Sequence, residues 1–330
     1  MLLGMYEVIT CHACGTDLMD RWANHINGAM RLMELRGPKQ LETPAGLELF
    51  SQIRIQIAIS NIFYRRYSSP VMVQLSNMAR SYRDSKSQVI DNFYNILTRI
   101  GDLSAMISDS IPNSPSSNPV LFIQNALHLD ADLVAWAMSI DPTWHYTVIK
   151  ASPASINDDN QIYHTIYGDT YHKYNTLGFA SLWNTYRLLR IMLRRIIGST
   201  CKSMLRRGEC PEKRLTMAQG VVIIKQMAED VCASVPYYFT SDDVAIGGLM
   251  QLIWPLFVAS DCVESEPKMK KWILQTLDKI GYTTGIQQAL MMSKLARAGN
   301  SYSVTQELYK EDKMRQSTEP YGDEELNSST

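Results

Sequence analysis

Apolar residues recur at helical spacing along most of the chain. From Phe179 they fall at Leu182, Trp183, Tyr186, Leu189, Leu193 and Ile197, the three-and-four spacing that turns one face of a helix toward a core. The pattern predicts a helix over 179–197, stopped at Gly198. A second is predicted over Leu215–Val235, with Thr216 as a cap near its start and Pro236 as terminator, and a third over Lys268–Ile280, ended by Gly281. The longest apolar run, Val244–Ser260, is interrupted by Gln251, paired glycines and Pro255. It is shorter than the roughly 20 residues that cross a bilayer, so it reads as a buried helix kinked at proline and not as a membrane span. One stretch disagrees with the rest. Ile53, Ile55, Ile57 and Ile59 alternate strictly, which taken alone is a strand, although with Leu49 and Tyr64 they also fit one face of a long helix.

Breaks in the pattern organise the chain. Ile111–Pro119 carries three prolines and reads as a linker between helices, and Ala151–Asn160 reads as a second loop. From about Lys310 the sequence turns charged and polar and predicts disorder. The expected organisation is one helical domain over 1–309 and a polar tail over 310–330.

Composition narrows the class. The chain has 330 residues, 45% of them hydrophobic, and a formal net charge of −1. That is enough apolar material for a sizeable core, and no global field draws nucleic acid or an anionic membrane. The six cysteines are scattered and no signal peptide follows Met1, which reads as an intracellular protein. The 18 methionines suit an adaptable core or a hydrophobic pocket.

Several blocks recur in the order of a known family. Trp22–Gly37 is followed by Leu41, Thr43-Pro44, Gly46, Leu49-Phe50, Arg54 and Gln56. Then come Trp183–Arg187 with Arg190-Ile191, Ala228–Tyr237, and Gly247-Gly248 leading into Trp254–Ala259. Trp272-Ile273, Ile280-Gly281 and Gly285–Ala289 close the series. Over roughly residues 2–300 the chain resembles the C-terminal regulatory domain of fungal binuclear zinc-cluster transcription factors. The resemblance implies an all-α fold, a single helical bundle or superhelical domain around a central apolar pocket, and it decides the 53–59 stretch for helix. It also implies an effector-binding, repressing or dimerising module. The cysteine-rich DNA reader of such regulators is missing from the sequence. Two functions are therefore expected to compete. One is a regulator of a secondary-metabolite gene cluster that does not bind DNA directly and works as a homodimer or with a partner regulator. The other is a cofactor-free enzyme that cyclises or isomerises an apolar terpenoid or polyketide (pericyclase type) on the same scaffold. The first would be nuclear and the second cytoplasmic.

Chemistry-bearing motifs are sparse. Cys11-His12-Ala13-Cys14 has no second ligand pair to complete a structural zinc site. There is no nucleophile elbow, phosphate loop or dinucleotide fingerprint, so no cofactor and no metal are expected. Asp130-Ala131-Asp132 and Asp158-Asp159 read as helix caps or solvated residues. The basic stretch from Arg187 to Arg214 reads as a solvated helix face.

Two constellations stand out. Trp183, Tyr186 and Arg190 share one helical face, with Arg187 on the neighbouring stripe. An arginine so placed needs partners, either a structural carboxylate such as Glu229 or Asp230, or a ligand oxygen. The run Tyr163–Tyr174, with His164, Tyr167 and His172, reads as the start of the next helix or as pocket lining. Trp136, Trp144 and His145 make a comparable group. The candidate catalytic residues are Tyr186, Arg190 and His172. The candidate ligand-binding residues are Trp183, Trp254, Tyr237, Trp136 and Tyr167, and the expected ligand is an apolar small molecule.

Overall fold

The computed structural model describes residues 17–110, 118–151, 165–206, 213–240, 246–262 and 266–298. The Cys11–Cys14 motif, Asp158-Asp159, His164 and the polar tail lie outside these residues. The described chain is all-α, with one small hairpin. In order, the helices are α1 (Asp17–Arg36), α2 (Pro44–Tyr64), α3 (Pro70–Ala79), α4 (Ser85–Asp109) and α5 (Pro119–Ser139). After strands β1 (Thr147–Lys150) and β2 (Thr170–Lys173) come α6 (Leu177–Arg206), α7 (Lys213–Thr240), α8 (Ile246–Cys262), α9 (Pro267–Thr284) and α10 (Gln287–Arg297). No helix among them is long and apolar enough to cross a membrane.

Helix starts follow local chemistry. Proline occupies the first turn of α2, α5 and α9, where its missing N–H costs nothing and its fixed φ suits the helix. Thr43 Oγ1 accepts the Gly46 N–H at 3.2 Å, and Asn118 Oδ1 accepts the Leu121 N–H at 3.1 Å, each satisfying an orphan donor. Helix α2 resolves the isoleucine alternation: Ile53 and Ile57 are buried while Ile55 and Ile59 are half-buried. A helix packed on several sides needs no single apolar stripe.

Three helix ends differ from the sequence expectation, and packing supplies the reason each time. Helix α6 runs through Gly198 because its stripe continues at Ile197, Cys201 and Met204, all buried. One internal glycine costs only about 1 kcal/mol, less than the burial of that extra turn. Helix α7 runs through Pro236 and buries Tyr238 beyond it. Helix α9 passes Gly281 and stops at Gly285, whose φ of 76° is the left-handed cap.

Helices α6 and α7 pack lengthwise. Helix α5 flanks α6, α8 contacts both α6 and α7, and β2 lies on α7. One large core runs from α4 to α10 and takes in Ala23 of α1 and Ala58, Ile62 and Tyr64 of α2. A smaller one, built on Met33, Leu41, Phe50, Ile53, Ile57, Met72 and Leu75, holds α1 to α3. The Gly46 of the opening block has a steric role: a Cβ there would sit 2.0 Å from the Gln40 backbone oxygen. Gly46→Ala is expected to cost about 1–3 kcal/mol, the usual penalty of overpacking. Chemical denaturation is the check, with Gly28→Ala, where a Cβ meets nothing within 4 Å, as control.

Candidate functional site

Helix α6 presents two polar clusters on adjacent stripes. On the stripe facing α5, Arg190 donates from Nε to Asp130 Oδ1 at 2.7 Å and from Nη2 to Oδ2 at 3.2 Å. Its Nη1 reaches the Tyr186 hydroxyl at 3.3 Å. Arg194 donates to the same Asp130 Oδ2. One carboxylate, 3% exposed, thus serves two guanidiniums. Asp130 is neither a helix cap nor solvated. It sits in the body of α5 as the anion of this cluster, in the role the sequence suggested for Glu229 or Asp230. Burial also raises the Tyr186 phenol.

The second cluster faces the hairpin and is built differently. Arg187 is 1% exposed. Its Nη1 donates to Tyr174 Oη and to Asn184 Oδ1, both at 2.8 Å, and its Nη2 lies 3.1 Å from His172 Nδ1. Its guanidinium carbon stands 4.9 Å from the centre of the Tyr146 ring and 5.9 Å from that of Trp183. Among the described residues no ion pair includes Arg187, and its buried Nε has no partner. Asp230 on α7 is felt only through its field. Burial holds the Asp230 carboxyl above the usual carboxylate range, against the pull of Arg187. From Arg187 to Arg195 the basic stretch is therefore no solvated face, whereas Lys202 and Arg214 are exposed as expected. Arg187 is buried, Arg190 and Arg194 share Asp130, and Arg195 donates to Asp261.

His172 arrives on β2, whose antiparallel register pairs it with Val148 of β1. A helix start was one expectation for this run; residues 170–173 form a strand instead, and the helix begins at Leu177. Burial, reinforced by Arg187, pushes the imidazole down to about 3. It is neutral at neutral pH. Facing a donor at Nδ1, it carries its proton on Nε2. Tyr174 Oη lies 3.3 Å from the same Nδ1, and burial raises its phenol further than that of Tyr186. Behind Arg187 the network continues inward. Asn184 Nδ2 donates to Ser234 Oγ at 3.0 Å and to Tyr238 Oη at 3.3 Å.

Aromatic rings enclose the Arg187 cluster. Tyr146 packs on His172 with ring centres 4.0 Å apart and meets Trp183 edge-on at 5.1 Å. Tyr237 closes on Tyr174 at 5.3 Å. Trp183 is fixed by its indole N–H, which donates to the Trp144 carbonyl at 2.9 Å.

The structure thus brings His172, Trp183 and Tyr237 together around Arg187. Tyr186 and Arg190 fall in the Asp130 cluster, and Trp136 joins them at 6.2 Å from the Tyr186 ring. Trp254 packs against Phe63, and Tyr167 against Trp272, away from both clusters by their ring contacts. Sequence reasoning missed the weight of Arg187, Asn184 and Tyr146. The one available signal was the spacing of Asn184 and Arg187, three apart on a helix.

No family model, curated protein or solved structure matches the chain.

Proposed function

We propose that the chain is a small-molecule-binding regulatory protein of the fungal transcription-factor-like type. Its effector places a carboxylate or enolate oxygen against Arg187 and an apolar body against Tyr146, Trp183 and Tyr237. The observation that carries this reading is a buried guanidinium held only by neutral acceptors. A buried charge with no carboxylate paired to it, and only the field of Asp230 to offset it, is costly, and an anionic ligand oxygen relieves that cost. The aromatic walls suit an apolar ligand body. In this reading the protein works in the nucleus.

The probes that test it are 1-naphthoate and, as the uncharged match, 1-naphthalenemethanol. A charge-assisted hydrogen bond contributes about 1.5–3 kcal/mol, so wild type is expected to bind the carboxylate about 10- to 100-fold more tightly. Calorimetry on Arg187→Met, with its melting temperature recorded beside it, should show that preference gone. A folded Arg187→Met protein that keeps the preference sinks the reading.

A second reading has its own support. Arg187 and the Tyr174 hydroxyl are adjacent donors beside a neutral imidazole. Such a group stabilises a developing enolate, as a cofactor-free cyclase or isomerase of an apolar terpenoid or polyketide requires. That reading demands chemical change of a substrate by the pure chain; unchanged recovery removes it and leaves the binding reading intact.

A further inference from the structure

One edge of the Arg187 guanidinium is left over. The group carries five N–H donors in a single plane, set in a rigid fork. Nη1 uses both of its hydrogens, on Tyr174 Oη and Asn184 Oδ1, each at 2.8 Å. Nη2 meets His172 Nδ1 at 3.1 Å, and that nitrogen lies 3.3 Å from Tyr174 Oη. The adjacent acceptors Tyr174 and His172 therefore fill the Nη1/Nη2 edge, and Asn184 takes the outer Nη1 hydrogen. Nε is buried without a partner, and among the described residues the second Nη2 hydrogen meets no acceptor. These two N–H groups run parallel and form the Nε/Nη2 edge.

Arg190, three residues on in the same helix, shows what that edge takes. Its Nε and Nη2 hold the two oxygens of Asp130 at 2.7 and 3.2 Å. We propose that the ligand of the Arg187 site is an aromatic carboxylic acid, held through both carboxylate oxygens along the Nε/Nη2 edge as Asp130 is held by Arg190. The inference rests on the reading of Arg187 as an anion site and narrows it from any anionic oxygen to a carboxylate.

The plane of the fork is set by its neighbours: the guanidinium carbon stands 4.9 Å from the Tyr146 ring centre and 5.9 Å from that of Trp183. Two parallel N–H bonds match the coplanar oxygens of a carboxylate. A lone enolate oxygen meets one and leaves the other buried donor unsatisfied, which costs free energy. The chain does not fill the edge itself. Asp230 accepts from Gln226 Nε2 at 3.1 Å and reaches Arg187 only through its field. One wall of the cluster is the β1–β2 hairpin, whose two strands of four residues are marginal by themselves and yield as the ligand enters.

Pentafluorobenzoate and pentafluorophenolate test the inference. They share a ring and a charge, both are ionised at neutral pH, and they offer two oxygens against one. Each is titrated into the full chain by calorimetry, with the Arg187 Nε–H signal followed by 15N NMR. Wild type is expected to bind the benzoate about tenfold more tightly, the size of one further charge-assisted hydrogen bond, and the benzoate should shift the Nε–H signal. Arg187→Lys keeps the charge and removes the fork, so it should bind the two anions equally. Equal binding by wild type, or benzoate bound without movement of the Nε–H signal, overturns the two-oxygen edge and leaves the anion site standing. So does a folded Arg187→Lys protein that keeps the tenfold preference. Binding of neither anion by wild type removes the anion site and this proposal together. The wild-type titrations decide the matter even where the variant fails to fold.

Discussion

Asp130→Asn is expected to lower stability by about 3–5 kcal/mol, the usual cost of leaving a buried charge without its partner. At roughly 2–4 °C per kcal/mol for a large domain, the melting temperature falls by about 10 °C. Asp130 is buried in α5 and binds Arg190 through both carboxylate oxygens. Arg194 shares one of those oxygens, and its own Nε already lacks a partner. Asparagine preserves the shape but removes the anion, so two guanidiniums repel across a site that water barely reaches. The control is Asp132→Asn, two residues on, whose pair with Arg99 is exposed on both sides and is expected to contribute under about 1 kcal/mol. The double variant Asp130→Leu/Arg190→Met should recover part of the loss, because an apolar replacement of a buried ion pair is often neutral. An Asp130→Asn protein that melts with wild type would falsify the assignment of this carboxylate as the anchor between α5 and α6.

The same residue shows how far the sequence could be read. Asp130 and Asp132 look alike along the chain, yet one is buried and the other exposed. Their difference is the angle each makes with α6, a tertiary fact that spacing does not contain. The apolar stripe at 182, 183, 186, 189, 193 and 197 located α6 correctly. Gly198 and Pro236 suggested ends that the helices pass, because buried residues beyond them outweigh the local cost. Strands β1 and β2 are four residues each, too short for alternation to register, and each pairs with the other only across a long separation. The hairpin in turn decides which arginine matters. Without it, Arg190 on the apolar stripe is the better candidate. With it, His172 and Tyr174 arrive beside Arg187 while Asp130 takes Arg190. The arginine-rich, aromatic character of the site was legible; the division into one neutralised cluster and one uncompensated cluster was not.

That uncompensated cluster gives the protein an acid-sensitive joint. An unfolded histidine titrates near 6.5, whereas His172 is pushed down to about 3 by burial and then by Arg187. Between those values the unfolded chain binds a proton at this position and the folded chain does not. Stability therefore rises with pH through the window, is fully present above about 6.5, and is lost progressively as pH falls toward 3. At about 1.4 kcal/mol per pH unit, the loss from this residue between pH ~7.5 and pH ~5 is on the order of 2 kcal/mol. The remaining groups that face the cluster move otherwise. Arg187 stays charged throughout, and Tyr174, whose phenol burial raises, stays neutral. Asp230, whose carboxyl is raised, opposes the trend because its folded form binds the extra proton. His172→Asn keeps an acceptor toward Arg187 and removes the titration. Urea unfolding of both proteins at the two pH values isolates the term, since the contributions of Asp230 and the other carboxylates are common to both and cancel in the difference. Wild type should lose about 2 kcal/mol more than His172→Asn. Equal losses would mean that the imidazole reaches water and titrates freely, and that Arg187 is not enclosed by the hairpin at all.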